Sequence, residues 1–151
     1  MIRILKLGCA VALALALGAC EKEGSSMGGI GTVGEKITGT SKTEVRGTHG
    51  QKLAVYKPGN VKIRRGEAET VKIRLHRENF SDPVNVSISQ LPAGVEAVDV
   101  PRSTNSDSID VVLRASDHAD LVKNHEALVT AEGPEGIRAT QPFKMNVREK
   151  S

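Results

Sequence analysis

The sequence predicts an all-β protein, a single antiparallel β-sandwich of about seven to eight short strands, on three observations. Apolar and polar residues alternate with period two beyond residue 50, which places successive side chains on opposite faces of a strand. Turn signals rich in Gly, Pro, Asn and Asp recur about every 8–12 residues, the spacing of a sandwich. No long stretch carries the 3.6-residue apolar period of a helix.

The first clear strands carry Val61 and Ile63 alternating with Lys62 and Arg64, then Val71, Ile73 and Leu75 alternating with Lys72, Arg74 and His76. The tetrapeptide Val-Lys-Ile-Arg thus occurs twice, separated by a charged turn that contains Gly66. The two strands obey one inside-outside rule, and they either form a hairpin or lie in different sheets of the sandwich. Val84, Val86 and Ile88 alternate with Asn85, Ser87 and Ser89 before Leu91-Pro92-Ala93-Gly94 breaks the pattern. A short strand over 95–100 stops at Pro101, and a polar loop over 103–108 leads to Ile109, Val111 and Leu113. Residues 121–123 read as a turn, or residues 117–124 as one helical turn. A strand over 127–131 follows, and Gly133-Pro134-Glu135-Gly136 then leads into a last strand with Phe143, Met145 and Val147 inside.

The region over 52–148 resembles bacterial immunoglobulin-like modules. The likeness rests on 61–75, on Asp82-Pro83-Val84-Asn85-Val86 and on Leu91-Pro92-Ala93-Gly94-Val95. The cysteine pair and core Trp of antibody domains are absent, so the resemblance is not to that branch. It implies an immunoglobulin-like β-sandwich over 51–151.

The N-terminal residues read as an export signal. Arg3 and Lys6 precede an apolar run over 7–17, too short for the roughly 20 residues that cross a bilayer. Leu17-Gly18-Ala19-Cys20 resembles the lipobox of bacterial lipoproteins. The resemblance implies a signal peptide over 1–19, cleavage before Cys20, and two or three palmitate-type acyl chains on that cysteine. Two chains make membrane attachment lasting, because each buried methylene contributes about 0.8 kcal/mol. Glu21 occupies the place where the family's inner-membrane retention residue is usually Asp, so the expected location is the bacterial cell envelope, with the outer membrane favoured over the inner if two membranes are present. Residues 20–50 are rich in Gly, Ser and Thr and read as the lipidated cysteine followed by a flexible linker with a reach of about 30 Å. Gly28-Gly29-Ile30-Gly31 lacks the Gly-Lys-Ser/Thr of a phosphate loop and belongs to that linker.

Composition narrows the functional classes. The 151 residues include 21 Lys and Arg against 18 Asp and Glu, and without Arg3 and Lys6 the basic count becomes 19. The near balance, with only Tyr56, Phe80 and Phe143 as aromatics, argues against nucleic-acid binding, which uses clustered basic charge and stacking rings. It also leaves little for an aromatic sugar platform. Both cysteines, Cys9 and Cys20, lie in the leader and at its cleavage site, so the domain has no disulfide and depends on apolar burial.

No catalytic constellation emerges. Ser116, Asp117 and His118 are adjacent, and adjacent residues do not converge as nucleophile, base and orienter. No Gly-x-Ser-x-Gly elbow occurs. His49, His76, His118 and His125 match no compact metal motif. Asn105, Asp107 and Asp110 lack the Gly and distal Glu of an EF-hand and read as a solvated loop. Neither cofactor nor metal is expected. One candidate interaction face is a basic stripe of Lys62, Arg64, Lys72 and Arg74, a pattern that more often marks a solvated face that discourages edge aggregation. The expected role is non-catalytic: a lipid-anchored envelope protein whose sandwich meets a protein partner or supports envelope structure. The alternative is a ligand-binding lipoprotein that takes a metal ion or an envelope glycan in loops at one end of the sandwich.

Overall fold

A computed structural model describes residues 36–38, 41–101 and 103–151. Among the described residues the strands in chain order are β1 (Lys36–Thr38), β2 (Lys42–Arg46), β3 (Lys52–Tyr56), β4 (Val61–Arg64), β5 (Ala68–Glu78), β6 (Asn85–Ser89), β7 (Val95–Ala97), β8 (Ser108–Ala115), β9 (Val122–Glu132) and β10 (Arg138–Arg148). One sheet runs β1-β2-β3-β5-β8-β7 and the other β4-β10-β9-β6. The order β3-β5-β8-β7 facing β10-β9-β6 is the A-B-E-D and G-F-C arrangement of an immunoglobulin-like sandwich. The first strand of that scheme is divided between the sheets as β3 and β4.

The division has a local cause. Lys57 donates its backbone N–H to Ser41 O at 2.8 Å, which closes the β3 ladder. Pro58, buried and without an N–H, cannot continue it, so the chain crosses to the opposite sheet. There β4 runs parallel to β10, with Val61 opposite Met145 and Ile63 opposite Val147. This pair departs from the wholly antiparallel expectation. The two Val-Lys-Ile-Arg strands accordingly lie in different sheets.

Alternation fills the core. Leu53, Val55, Val71, Ile73, Leu75, Ile109, Val111 and Leu113 come from the first sheet; Val61, Ile63, Val86, Ala127, Val129, Ala131, Phe143, Met145 and Val147 come from the second. Residues 117–118 make a turn, not a helical one, and β9 starts at Val122.

Among the described residues, strands β1 and β2 lie within the stretch expected to be linker, while β3–β10 supply eight strands beyond it. Gly47 and Gly50 belong to the turn of the β2–β3 hairpin, where Gly47 N donates to Gln51 O at 2.8 Å and Gly50 takes a φ of +80°. The glycines counted as flexibility are here turn residues. Thr43 and Val45 of β2 face inward and are buried. Thr43 Oγ1 donates to Gln141 Oε1 of β10 at 2.7 Å, pairing two buried polar side chains across the sheets. Thr43→Val leaves that amide oxygen unpaired and is expected to cost about 1–3 kcal/mol. Adding Gln141→Leu should restore most of the loss, which a double-mutant cycle in urea measures; two additive losses would show that the bond is not formed.

Candidate functional site

A sandwich presents its outward alternates on two opposite faces, and here the two differ in chemistry. The outer face of the β2-β3-β5-β8 sheet is densely charged. Lys42 Nζ lies 2.8 Å from Glu44 Oε2, Arg46 Nε 3.6 Å from Glu44 Oε1, and Lys52 Nζ 2.7 Å from Glu78 Oε1. The hydrogen bond from Lys42 holds the Glu44 carboxyl below the usual carboxylate range, and the same bond raises the Lys42 ammonium above its ordinary value. Lys72 stands opposite Asp110 in the β5–β8 register. The Arg74 guanidinium sits 5.1 Å from the centre of the Tyr56 ring, within cation–π range.

The expected basic stripe is therefore divided. Lys62 and Arg64 are outward residues of β4 in one sheet, while Lys72 and Arg74 are outward residues of β5 in the other. The same inside-outside rule in two facing sheets sends the exposed sets in opposite directions. Arg64 Nη1 also lies 3.9 Å from Glu67 Oε1. No single surface holds all four cations. Cys20 lies outside the described residues.

The outer face of the β6-β9-β10 sheet is arranged otherwise. In register across the three strands, Ser87 stands beside Thr130 and Thr140, and Ser89 beside Leu128 and Pro142. These two adjacent rows carry no charge. The Thr130 and Thr140 hydroxyls lie 3.0 Å apart and bond to one another. An ion pair bounds the rows at each end: Arg138 Nη2 to Glu132 Oε2 at 3.0 Å, and Lys144 Nζ to Glu126 Oε2 at 3.3 Å. One flank is β6, an edge strand of the sheet among the described residues, whose five residues Asn-Val-Ser-Ile-Ser carry none of the charges or prolines that usually blunt an edge. This face is not apparent in the sequence, because the alternation identifies the buried residues and not which outward ones become neighbours. Its signal was the uncharged outward set Ser87, Ser89, Leu128, Thr130, Thr140 and Pro142, visible only once β6, β9 and β10 are known to be neighbours.

The loops have local duties. Arg77 points along the inward side of β5 and donates through Nη2 to Asn105 O and to Asp107 Oδ1, the latter at 2.9 Å. Asp110 lies instead on the outer face of β8, so the three oxygen-bearing residues of that loop do not converge. Asp117 Oδ1 is 3.9 Å from Lys150 Nζ, and Ser116 anchors a turn by accepting from Ala119 N. His49 Nδ1 lies 3.0 Å from Glu135 Oε2, and His125 Nε2 2.7 Å from Gln90 O. Among the described residues no three His, Cys, Asp or Glu gather where they could hold a metal ion. A shallow groove beside exposed Leu121 is lined by Val122, Lys123, Asn146, Val147 and Arg148.

The chain is similar to parts of solved structures. A chain of a mutant titin–obscurin-like 1 immunoglobulin-domain complex matches with 14% identity and a TM-score of 0.41, covering 76% of this chain and 99% of that one. The BIgI domain of beta protein from S. agalactiae, solved bound to CEACAM1, matches with 14% identity and a TM-score of 0.39, covering 67% and 99%. No family model matches the sequence. No curated protein matches it. The immunoglobulin-like assignment rests on the strand order and register described above.

Proposed function

We propose that this protein is a lipid-anchored, non-catalytic component of a bacterial envelope whose sandwich makes protein contacts through the outer face of the β6-β9-β10 sheet. The observation that carries the reading is the uncharged double row of that face, beside an edge strand without charge. Desolvating charges opposes association, so a face whose centre carries none, and whose hydroxyls already bond to each other, is the less costly one to cover. The charged outer face of the other sheet has the opposite character. Anchoring is supported by the Leu17-Gly18-Ala19-Cys20 sequence after a short apolar run. Attachment through Cys20 would confine the domain to the membrane surface, where weak contacts benefit from raised local concentration.

Membrane fractionation with in-cell cross-linking tests both parts. The unaltered protein should sediment with membranes, and Cys20→Ser should move it to the soluble fraction. A photo-reactive residue at Ser87 should yield protein adducts that one at Thr70, on the opposite face, does not. Retention of Cys20→Ser in the membrane overturns the anchor; equal adducts from Ser87 and Thr70 overturn the choice of face.

A further inference from the structure

We propose that the partner of the β6-β9-β10 face is a second copy of the same chain, packed about a two-fold axis that runs parallel to the strands between β9 and β10. The inference rests on the protein-contact reading above and adds the partner's identity. Its basis is the charge pattern. On the outer face, β9 presents Glu126, Leu128, Thr130 and Glu132 as one column, and β10 presents Lys144, Pro142, Thr140 and Arg138 as its neighbour, row for row. One column is acidic at both ends and the other basic at both ends.

Face-to-face packing of two such sheets has few symmetric solutions. A two-fold axis parallel to the strands, between the columns, keeps the rows and exchanges the columns. Glu132 then lies over the second copy's Arg138, Glu126 over its Lys144, Thr130 over its Thr140 and Leu128 over its Pro142. An axis across the strands keeps the columns and reverses the rows, which sets Glu132 over Glu126 and Arg138 over Lys144. Like charges so placed repel, and such juxtaposition selects against a wrong register. The face is thus complementary to itself in one orientation. The in-chain pairs, Arg138 with Glu132 and Lys144 with Glu126, become four-charge rows that gain partners without breaking.

The size of the face sets the strength. The two overlaid columns, four rows each, cover roughly 200 Å² per copy at ordinary strand spacing and rise, well below the ~800 Å² per partner of a stable complex. Self-association is therefore weak and depends on local concentration, as a surface-tethered protein provides. The cluster of Lys62, Arg64 and Arg148 lies beyond these rows, in register with Asn146 and below it, and is left free.

The test uses the full chain with Cys9→Ser and Cys20→Ser as a cysteine-free host. Leu128→Cys and Pro142→Cys are introduced in separately tagged copies, mixed at near-millimolar concentration and oxidised. Disulfides between the two kinds of copy should exceed those within either kind. A charge-swapped copy carrying Glu132→Arg, Arg138→Glu, Glu126→Lys and Lys144→Glu preserves every in-chain pair. It should cross-link to another swapped copy as well as unswapped copies do to each other, while mixed pairs lose about tenfold, the loss expected where like charges meet. If the four-fold swap does not fold, Glu132→Arg with Arg138→Glu alone serves at one row. Undiminished cross-linking in mixed pairs, or a predominance of Leu128→Cys homodimers, overturns the proposal. In the anchored protein, a photo-reactive residue at Thr130, which the axis sets over the second copy's Thr140, distinguishes the two readings. Adducts only with a different protein overturn self-association and leave the contact reading standing, whereas adducts with neither overturn both.

Discussion

Phe143→Ala is expected to lower the melting temperature of the domain by about 15–30 °C, because it removes the largest fully buried side chain among the described residues. Phe143 is 1% exposed and is the only aromatic ring fully inside the sandwich, since Tyr56 and Phe80 are only partly buried. Its neighbours across the inner space are aliphatic strand residues, stiff at χ1 where branched and fixed by two hydrogen-bonded ladders, so the site cannot collapse to fill the void. Truncations of this kind cost about 3–5 kcal/mol, against a total stability of about 5–15 kcal/mol for a small domain. About 100 residues without a disulfide have little reserve, and each kcal/mol shifts the midpoint by about 4–8 °C at this size. Differential scanning calorimetry measures the shift. Phe80→Ala, at the rim beside Gly133, should cost clearly less; equal losses would mean that Phe143 is not the centre of the core.

Gly94→Ala is expected to destabilise by about 2–4 kcal/mol, from a left-handed backbone and a steric clash acting together. Gly94 has a φ of +78°, and an added Cβ would lie 2.7 Å from the Ala119 Cα and 2.8 Å from the Ser116 Oγ. The first contact is backbone and cannot rotate away. Gly94 O also accepts from Ser116 N at 2.8 Å, and Ala93 O from Asp120 N at 2.9 Å, so the segments 91–95 and 116–120 are joined as one unit. Gly136 supplies the comparison: its φ is +75° but nothing lies within 4 Å of its added Cβ. Gly136→Ala should therefore show only the conformational part, about 1–2 kcal/mol. Urea denaturation of the two variants separates the terms, and equal midpoints would show that the contact with Ala119 does not constrain the fold. The Leu-Pro-x-Gly-Val pattern thus has a physical reason beyond its likeness to other modules. Its glycine is where a turn after one strand must touch the turn before another.

Much of the sandwich could be read from local chemistry. The alternation at Val71-Lys72-Ile73-Arg74-Leu75 determines which side of β5 is buried whatever its neighbours are, because the side-chain period of a strand is fixed at two. The same holds for Val61 and Ile63 and for Phe143, Met145 and Val147, all of them buried. Reading failed where the local signal was ambiguous. Leu53, Ala54 and Val55 are all buried, so β3 shows no alternation: Ala54 occupies the outer face but is small, and Glu44 and His76 stand beside it in register. Strand β2 did alternate, with Thr43 and Val45 between Lys42, Glu44 and Arg46, but it is five residues long and followed by glycines that suggested a tether.

The sequence by itself determined the strand faces, the positions of most turns, the aliphatic character of the core and the resemblance of residues 17–20 to a lipobox, because each depends on neighbours in the chain. Only the tertiary structure decided which strands share a sheet. That choice separated Lys62 and Arg64 from Lys72 and Arg74, drew Thr43 onto Gln141 across 98 residues, and set Ser87, Thr130 and Thr140 in one row. The physical reason is that strand pairing is made by backbone hydrogen bonds, which every residue but proline can donate. The pairing is selected by the burial of both sheets together, which no single segment encodes.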